Sequence, residues 1–375
     1  MKILIIPLLI VTVAHGQMVN NGAQITIDNT ALSVDDDMLN IGNIQNNGDL
    51  IIYQNWMNVG VYESPNGTLI LAGDDQQIMN NGQTLQDLEL RNGSKTISDD
   101  LVIEGELTFN EFAFLDITEE AKLTLGQDVL ITGAGPNAYI RGKLYRTGTG
   151  DLFFPIGSGE AYLPVTLVDV IGLDPEVALT AVSESPDQGI GGDLEELFGQ
   201  QYWILESDQN YQASFINIHI SNDSTLDTAN LVVAQAVSET ASFNTLGRST
   251  IQYDGENGDI TSQGNAIGPY FTVAIAPEVP PLPTLRVINA LTPFQDGRHD
   301  FLRIENIELY PDNQVEIFDR SGIKVFSISN YDNRERVFRG VPNQGAISEL
   351  QDGNYYYTIK TGRTKVKAGF LFIKQ

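Results

Sequence analysis

Short runs of alternating apolar and polar residues dominate the first 150 residues. Asn-Gly dipeptides precede several of these runs, at Asn47-Gly48, Asn66-Gly67, Asn81-Gly82 and Asn92-Gly93. Alternation bounded by Asn-Gly predicts β-strands, because successive side chains of a strand point to opposite faces. The runs recur at about 11 to 20 residues, which favours short rungs stacked into a parallel β-solenoid over residues 17–150. An antiparallel β-sandwich is the alternative, since Asn-Gly also marks hairpins.

The strands lengthen and the turns spread out over residues 151–276. This spacing predicts an antiparallel β-sandwich as a middle domain. A helix of one or two turns is predicted at 193–198, with Asp193 as its N-cap. The apolar alternation is clearest at 178–182, 201–205, 215–220, 231–236 and 270–275.

Four prolines within residues 277–283 separate the middle segment from the end of the chain. Proline removes a backbone donor and fixes φ, so these residues predict an extended connector. Residues 284–375 then alternate around Val315 and Ile317 and finish with an apolar run at 370–373. This pattern predicts a small antiparallel β-sandwich whose last strand ends the chain. The predicted fold class is therefore all-β throughout.

Residues 1–16 have the layout of a targeting segment. Lys2 precedes an apolar run of about eleven residues, and Ala14-His15-Gly16 follows with small residues at the positions before a cut at Gln17. This arrangement predicts a secretory signal peptide, with a buried N-terminal strand as the alternative. The run is too short to span a bilayer, which needs about 20 residues. We expect the mature chain to have no transmembrane span.

Charge is distributed unevenly along the chain. It holds 49 acidic and 21 basic residues, a formal net charge of -28, and no cysteine. Residues 284–375 contain 13 basic and 11 acidic residues, a net of +2, which leaves 8 basic and 38 acidic residues, a net of -30, for the remainder. So acidic a chain is not expected to bind nucleic acid. The lack of cysteine excludes disulfides, thiolate metal sites and a thiol nucleophile.

The sequence predicts no catalytic site, no cofactor and no metal. It contains no zinc-protease helix motif, phosphate-binding loop or serine-nucleophile elbow. His219 alternates with Ile218 and Ile220, which indicates a solvent-facing strand residue. Trp56 and Trp203 are candidates for a sugar-stacking platform, although core positions are the commoner outcome for aromatic residues.

Residues 284–375 resemble a known family. The similar stretches include Asn289-Ala290-Leu291-Thr292-Pro293, Asp296-Gly297, Tyr310-Pro311-Asp312-Asn313, Val315-Glu316-Ile317-Phe318-Asp319-Arg320, Asp352-Gly353-Asn354-Tyr355-Tyr356-Tyr357 and Lys367-Ala368-Gly369-Phe370-Leu371-Phe372-Ile373. They are similar to the gliding-motility-associated C-terminal domain, the type B sorting domain of the Bacteroidetes type 9 secretion system. The motif positions that carry the resemblance are Asn289, Pro293, Asp296, Gly297, Asp300, Arg320, Gly322, Gly340, Gly353, Tyr355, Tyr357 and Gly369.

The resemblance implies an export route. The signal peptide would take the chain to the periplasm, and the translocon with its outer-membrane shuttle barrel would recognise the C-terminal domain. A neighbouring outer-membrane β-barrel would then hold the protein at the cell surface. Docking by strand addition or charge pairing is compatible with such a module. The docking candidates, for which solvated surface charge is the alternative, are Arg334, Arg336, Arg339, Arg363, Lys365 and Lys367.

The sequence departs from the family pattern in two turns. Residues 293–300 keep Asp296 and Asp300 but carry Phe294 and His299 where the family has asparagine, so we expect no calcium there. The turn Asp319-Arg320-Ser321-Gly322 lacks the family's tryptophan, which removes an aromatic surface anchor.

Two functional hypotheses follow. The first is a non-enzymatic cell-surface protein, an adhesin or a gliding or surface-assembly component. The alternative is a secreted polysaccharide lyase or hydrolase on a β-solenoid. A lyase of this kind generally needs lysine or arginine near the anionic sugar, and residues 17–150 offer Arg91, Lys95, Lys122, Arg141, Lys143 and Arg146.

Overall fold

The computed structural model describes residues 2–4, 16–221, 228–278, 283–294, 297–345, 348–361 and 365–374, with backbone only at 2–4, 221 and 365. It is 54% strand and 1% helix, so the predicted all-β class is confirmed. The chain divides into two compact units, Met1–Glu278 and Val279–Gln375.

The first part of the larger unit consists of short strands. They are β1 (Lys2–Leu4), β2 (Met18–Asn20), β3 (Gln24–Val34), β4 (Met38–Asn40), β5 (Asn43–Ile52), β6 (Trp56–Asn58), β7 (Val61–Glu63), β8 (Thr68–Leu71), β9 (Gln76–Met79), β10 (Thr84–Leu85), β11 (Asp87–Leu90), β12 (Ser94–Ile97), β13 (Leu101–Ile103), β14 (Glu106–Phe109), β15 (Phe114–Ile117), β16 (Leu123–Leu125), β17 (Leu130–Thr132), β18 (Ile140–Arg141) and β19 (Leu144–Thr147).

These strands wind into a β-solenoid of about seven turns, so the solenoid prediction is confirmed. Strands of successive turns pair in parallel in three sheets. The first runs β1-β3-β5-β8-β11-β14-β17 with β7 beside β5. The second runs β2-β4-β6-β9-β12-β15-β18 and continues with strands at Ile156–Ser158 and Ala161–Tyr162, and the third begins β10-β13-β16-β19. β5 pairs with β7 through its first half and with β8 through its second, so it turns a corner between two faces.

The apolar side chains of successive turns stack inside the solenoid. One column in register consists of Val34, Ile52, Leu71, Leu90 and Phe109, all buried. Burying one such side chain stabilises the folded state by about 1.5–3 kcal/mol relative to leaving it exposed. Each turn buries its apolar face only against its neighbours, as a repeat architecture requires.

The Asn-Gly dipeptides occupy corners of this coil rather than hairpin turns. Asn92 and Gly93 both have positive φ, 57° and 46°. A Cβ on Gly93 would lie 1.7 Å from the carbonyl oxygen of Asp74 in the preceding turn, so only glycine fits. The hairpin alternative is wrong here, because the flanking strands pair in parallel with the next turn.

A column of buried asparagines runs through the first four turns. Asn20 Nδ2 donates to Asn40 Oδ1 (2.7 Å), Asn40 Nδ2 to Asn58 Oδ1 (2.7 Å), and Asn58 Nδ2 to Asn80 Oδ1 (3.1 Å). Trp56 Nε1 also donates to Asn80 Oδ1, at 3.1 Å. Each buried amide therefore finds its partner in the same position of the next turn, which avoids the cost of an unpaired polar group.

The second part of the larger unit has longer strands. They are β20 (Gly150–Phe154), β21 (Ile156–Ser158), β22 (Ala161–Tyr162), β23 (Val165–Gly172), β24 (Glu176–Val182), β25 (Glu196–Ser207), β26 (Tyr211–Ser221), β27 (Leu231–Ala236), β28 (Asn244–Gly247), β29 (Thr250–Tyr253), β30 (Asn257–Thr261) and β31 (Tyr270–Ile275).

This part continues the solenoid instead of forming a separate unit. β19 pairs antiparallel with β24, and the third solenoid sheet extends through β24-β25-β31-β27-β28. A second sheet, β20-β23-β26-β30-β29, contributes to the same apolar core. The antiparallel sandwich predicted for 151–276 is present, and it shares one core with residues 17–150.

The helix predicted at 193–198 is wrong. β25 begins at Glu196, which pairs with Ile275, so sheet pairing prevails over the local sequence pattern. Asp193 accepts a hydrogen bond from the Thr245 backbone N–H at 3.0 Å instead of capping a helix.

The predicted targeting segment lies mostly outside the described residues. Only Lys2–Leu4, paired in parallel with Gln24–Thr26, and Gly16 are described. A strand is thus present at the start of the segment, and cleavage before Gln17 stays a prediction. Within the predicted connector, residues 279–282 also lie outside the description. Among the residues described, no helix has the length and apolar character needed to cross a membrane.

The elements of the smaller unit are β32 (Arg286–Val287), β33 (Ala290–Leu291), β34 (Ile304–Glu305), a 3-10 helix (Ile307–Leu309), β35 (Asn313–Phe318), β36 (Lys324–Ser329), β37 (Gly353–Thr361) and β38 (Lys365–Ile373). The unit is built on a five-stranded sheet with the order β33-β38-β37-β35-β36. All pairs in it are antiparallel except β33–β38. A two-stranded sheet, β32–β34, contributes Ile304 to the same core as Val315, Ile317 and Ile359.

The asparagine column generates a stability prediction. Asn40→Ala leaves the Asn20 amide and the Asn58 side-chain oxygen without their partners inside the core. We expect the larger unit to lose about 3 kcal/mol of unfolding free energy. Urea unfolding followed by tryptophan fluorescence measures this, because both tryptophans lie in that unit. The exposed Asn21 gives the control Asn21→Ala, and equal midpoints for the two variants would contradict the prediction.

Candidate docking site in the C-terminal unit

A pocket of about 690 Å³ opens at one end of the five-stranded sheet. One wall is the turn 319–322, which the Asp319 carboxylate holds by accepting the N–H groups of Ser321 (2.8 Å) and Ile323 (2.9 Å). Gly322 has a φ of +80°, which a left-handed turn position requires. Arg320 of the motif lines this wall.

The opposite wall of the pocket is the segment 349–356. Tyr355 Oη donates to the Gln351 carbonyl at 3.0 Å and accepts the Gln351 N–H at 3.1 Å, which closes the turn before β37. Gly353 and Tyr355 line the pocket together with Tyr356 and Phe372. The structure therefore brings Arg320, Gly353 and Tyr355 of the predicted motif to one place.

An exposed aromatic surface runs from this pocket across the sheet. Phe318, Tyr356 and Phe370 are direct cross-strand neighbours on β35, β37 and β38. Tyr356, Phe370 and Phe372 are 52%, 55% and 45% exposed. The prediction from sequence missed this surface. The sequence contained a signal for this surface, because every residue of 355–357 and 370–373 is apolar or aromatic. A strand with one buried face can bury only every second side chain, so the others must be exposed.

Other motif positions hold the domain together. Tyr357 is buried, and a Cβ on Gly369 would lie 2.3 Å from its hydroxyl, so the ring packs directly on the glycine backbone. The Asn289 carbonyl accepts the N–H of Phe372 at 3.0 Å, which continues the pairing of β33 and β38. Gly340 is buried and has a φ of +80°. These positions shape the fold rather than its surface.

Hydrogen bonds between its own residues close the loop at 292–300. Asp300 Oδ2 accepts the Gly297 N–H at 2.9 Å, and the Thr292 N–H donates to the His299 carbonyl at 2.8 Å. Pro293 is half-buried, and Asp296 lies outside the described residues. Within the described residues, no group of three or more His, Asp or Glu side chains is arranged to hold a metal ion.

Among the predicted docking residues that the structure describes, Arg334, Arg336 and Arg339 lie on one loop and Lys367 lies on β38. Arg334 and Arg336 line a second pocket of about 460 Å³, which shares no residue with the first. Arg339 lies 5.6 Å from the ring of Phe301. The Asp332 carboxylate accepts the Arg334 N–H at 2.8 Å, which fixes this loop and holds the pKa of Asp332 below its usual range. Lys367 is exposed on β38, while Arg363 and the Lys365 side chain lie outside the description.

Every basic residue of the solenoid segment 17–150 has a partner. Four form ion pairs: Arg91–Glu89 at 2.6 Å, Lys122–Glu176 at 2.8 Å, Arg141–Asp116 at 2.5 Å and Lys143–Glu206 at 2.6 Å. The other two are buried and donate to backbone carbonyls. Lys95 Nζ contacts the carbonyls of Gly73 (2.6 Å), Asp74 (3.3 Å), Arg91 (2.8 Å) and Asn92 (2.5 Å), and Arg146 contacts those of Phe153 (2.7 Å), Gly126 (3.0 Å) and Gln127 (3.3 Å).

The remaining candidates for chemistry serve the fold. Trp56 and Trp203 are fully buried, so neither presents a face to a sugar. His219 is half-buried on β26, and its Nδ1 lies 3.2 Å from Asp259. Asp37 and Asp99 accept the backbone N–H groups of Asn55 and Asn80, respectively, at 3.0 Å each. These carboxylates connect one turn of the solenoid to another.

Residues 285–373 match the family model described as the CHU_C type IX secretion signal domain. The match spans the five-stranded sheet, the pocket and the motif positions. The searches of curated proteins and of solved structures found no match. The chain thus carries a C-terminal sorting domain of the type IX secretion type, and the resemblance proposed from the sequence is confirmed.

The close contact between Gly369 and Tyr357 yields a test of the structural role of the motif. Gly369→Ala places a methyl group against the tyrosine ring, and we expect the smaller unit to lose about 2 kcal/mol of stability. In a Tyr357→Leu background the same substitution is expected to cost less, because the ring is gone. Thermal unfolding of the four proteins of this cycle measures the coupling. Equal penalties in both backgrounds would show that the contact is unimportant.

Lys95 leads to a pH prediction. Burial lowers the pKa of Lys95 to about 8, whereas an unfolded lysine titrates near 10.4. Between these values the unfolded chain binds more protons, so the contribution of Lys95 to stability is fully present above about pH 10.4 and is lost as the pH falls to about 8. Relative to Lys95→Met, the unfolding free energy of the wild type should rise by about 3 kcal/mol across this window.

Urea unfolding at a series of pH values measures this rise. Lys143→Met is the control, because the hydrogen bond that the partly exposed Lys143 donates to the Glu206 carboxylate raises the pKa of Lys143 instead of lowering it. A wild-type curve that runs parallel to the Lys95→Met curve would contradict the prediction.

Proposed function

We propose that this chain, whose last quarter is a type IX secretion signal domain, is a non-enzymatic cell-surface protein. Its passenger would act as an adhesin or as a gliding or surface-assembly component. The observation that carries the proposal is the division of the chain into two units: a C-terminal unit that matches the type IX secretion signal domain, and a unit that contains the β-solenoid passenger. A repetitive acidic β-passenger suits an extended surface role better than a catalytic one.

The export route extends this proposal. Residues 1–16 are removed in the periplasm, the translocon and its shuttle barrel bind the C-terminal domain, and a neighbouring outer-membrane β-barrel retains the protein on the outer face of the outer membrane. The match at 285–373 supports the central step, export through a C-terminal signal. The leader and the anchoring barrel rest on the sequence pattern and on the family resemblance.

The partners of the solenoid's basic residues support a non-enzymatic passenger. A lyase acting on an anionic sugar needs a cation that is free to bind the substrate. In residues 17–150, four of the six basic side chains are paired with carboxylates and the other two are buried. The buried tryptophans likewise offer no stacking platform. The polysaccharide-active alternative therefore has no observation in its favour.

Export is tested with the full chain in a host that has a type IX system. We expect an epitope-tagged wild type to be cleaved by protease added to intact cells. A chain that lacks residues 365–375 loses β38 and should accumulate in the periplasm, protected from protease. Equal surface exposure of the two chains would contradict export through this domain.

A fluorescent reporter provides the second arm of this test. The reporter carries residues 1–16 at its start and 277–375 at its end, and a matched reporter carries residues 1–16 alone. We expect only the first to leave the periplasm. Affinity purification of the surface-held native chain is then expected to recover an outer-membrane β-barrel protein.

A further inference from the structure

The last strand of the chain has one edge without a strand partner over most of its length. β38 pairs with β37 along its whole length on one side, from Lys365 to Ile373. On its other side, β33 pairs only with Phe372 and Ile373. Within the described part of the chain, no strand faces β38 between Lys365 and Leu371. Such an edge is a template for another strand.

The direction of the backbone groups follows from the pairing. The Phe372 N–H points outward to the Asn289 carbonyl, at 3.0 Å. In an antiparallel strand, alternate residues direct both N–H and C=O to the same side. The backbone groups of Val366, Ala368 and Phe370 therefore face the open edge.

The opposite edge of the same sheet is covered. The Asn343 side chain accepts the Ser327 N–H and donates to the Ser327 carbonyl, both at 2.9 Å. The N–H groups of Asn343 and Gln344 donate to the Val325 carbonyl, at 3.0 and 3.1 Å. The fold thus protects the edge at β36 and leaves the edge at β38 open.

The charged residues in the part of the chain that forms β37 and β38 are of one sign. Residues 353–375 contain five basic and no acidic residues: Lys360, Arg363, Lys365, Lys367 and Lys374. Lysines along an edge oppose pairing with a second copy of the same strand, because like charges would meet. They favour an acidic partner instead.

The side chains beside the open edge also suit an added strand. Val366 and Phe370 are 58% and 55% exposed on the aromatic face. In strand addition, backbone hydrogen bonds supply affinity, and pockets for alternate side chains supply specificity. The bound segment would place apolar side chains beside Val366 and Phe370 and acidic ones near Lys360 and Lys367.

We propose that the open edge of β38 accepts an extended acidic segment of the export machinery as an added strand. This inference rests on the proposed export function and assigns the docking event to one edge of one sheet. The proposed docking site is the edge at β38 and does not include the loop that carries Arg334, Arg336 and Arg339.

Proline substitution tests the edge directly. Ala368→Pro removes one outward N–H and leaves the bonds to β37 in place, as proline on an edge strand can. Ser329→Pro is the matched control, since Ser329 has the same outward orientation on the covered β36 edge. In the full chain, we expect Ala368→Pro to reduce surface exposure about tenfold and Ser329→Pro to leave it unchanged.

A charge inversion tests the partner without changing the backbone. Lys360→Glu with Lys367→Glu should reduce export about tenfold. The control, Arg303→Glu with Arg334→Glu, inverts the same amount of charge at exposed positions outside β37 and β38 and should have no such effect. Thermal unfolding of the purified full-length variants establishes that each is folded.

The outcomes separate the two proposals. If the wild type fails to reach the surface, the export function is wrong. If the wild type is exported and folded Ala368→Pro and the lysine double variant are exported equally well, the edge at β38 is not the docking site. Loss of export only in the arginine double variant would assign docking to the other surface and overturn this inference.

Discussion

In-register stacking of one turn on the next is the interaction on which the passenger depends. Each turn directs its backbone N–H and C=O groups to its neighbours, so every turn needs another on each side. The same register aligns Asn20, Asn40, Asn58 and Asn80, whose amides satisfy one another inside the core. A slip by one residue would turn the apolar columns outward and separate these amides. Apolar packing and buried hydrogen bonding thus require a single register.

The outermost strand of a sheet has an unpaired edge, and the sheets of this chain differ in how that edge is covered. The third solenoid sheet changes from parallel to antiparallel pairing where β19 meets β24, and the sandwich strands then cover the end of the stack. In the smaller unit, Asn343 covers the edge at β36. The edge at β38 differs from the edge at β36, because no strand of the described chain and no such side chain pairs with it between Lys365 and Leu371.

Local alternation was sufficient to predict the strands, the all-β class and the solenoid, because the alternating side-chain orientation of a strand is visible in neighbouring residues of the sequence. Features that depend on distant pairing were not predictable in this way. Glu196 joins a strand because Ile275 lies opposite it, and the aromatic surface forms because Phe318, Tyr356 and Phe370 meet across three strands. The asparagine column was missed because its members are unequally spaced along the chain. The motif glycines were found by resemblance, and only the structure gives Gly369 its packing role.

The uneven charge has a consequence for recognition. Specificity is a difference between affinities, so a partner must be repelled elsewhere as well as attracted at its site. An acidic segment is repelled by residues 1–283, which have a net charge of -30, and attracted by residues 353–375, whose charged side chains are all basic. The same acidic charge discourages passengers from associating with one another before export. A signal placed at a basic, open edge is therefore distinguishable from the rest of the chain by charge and by hydrogen bonding together.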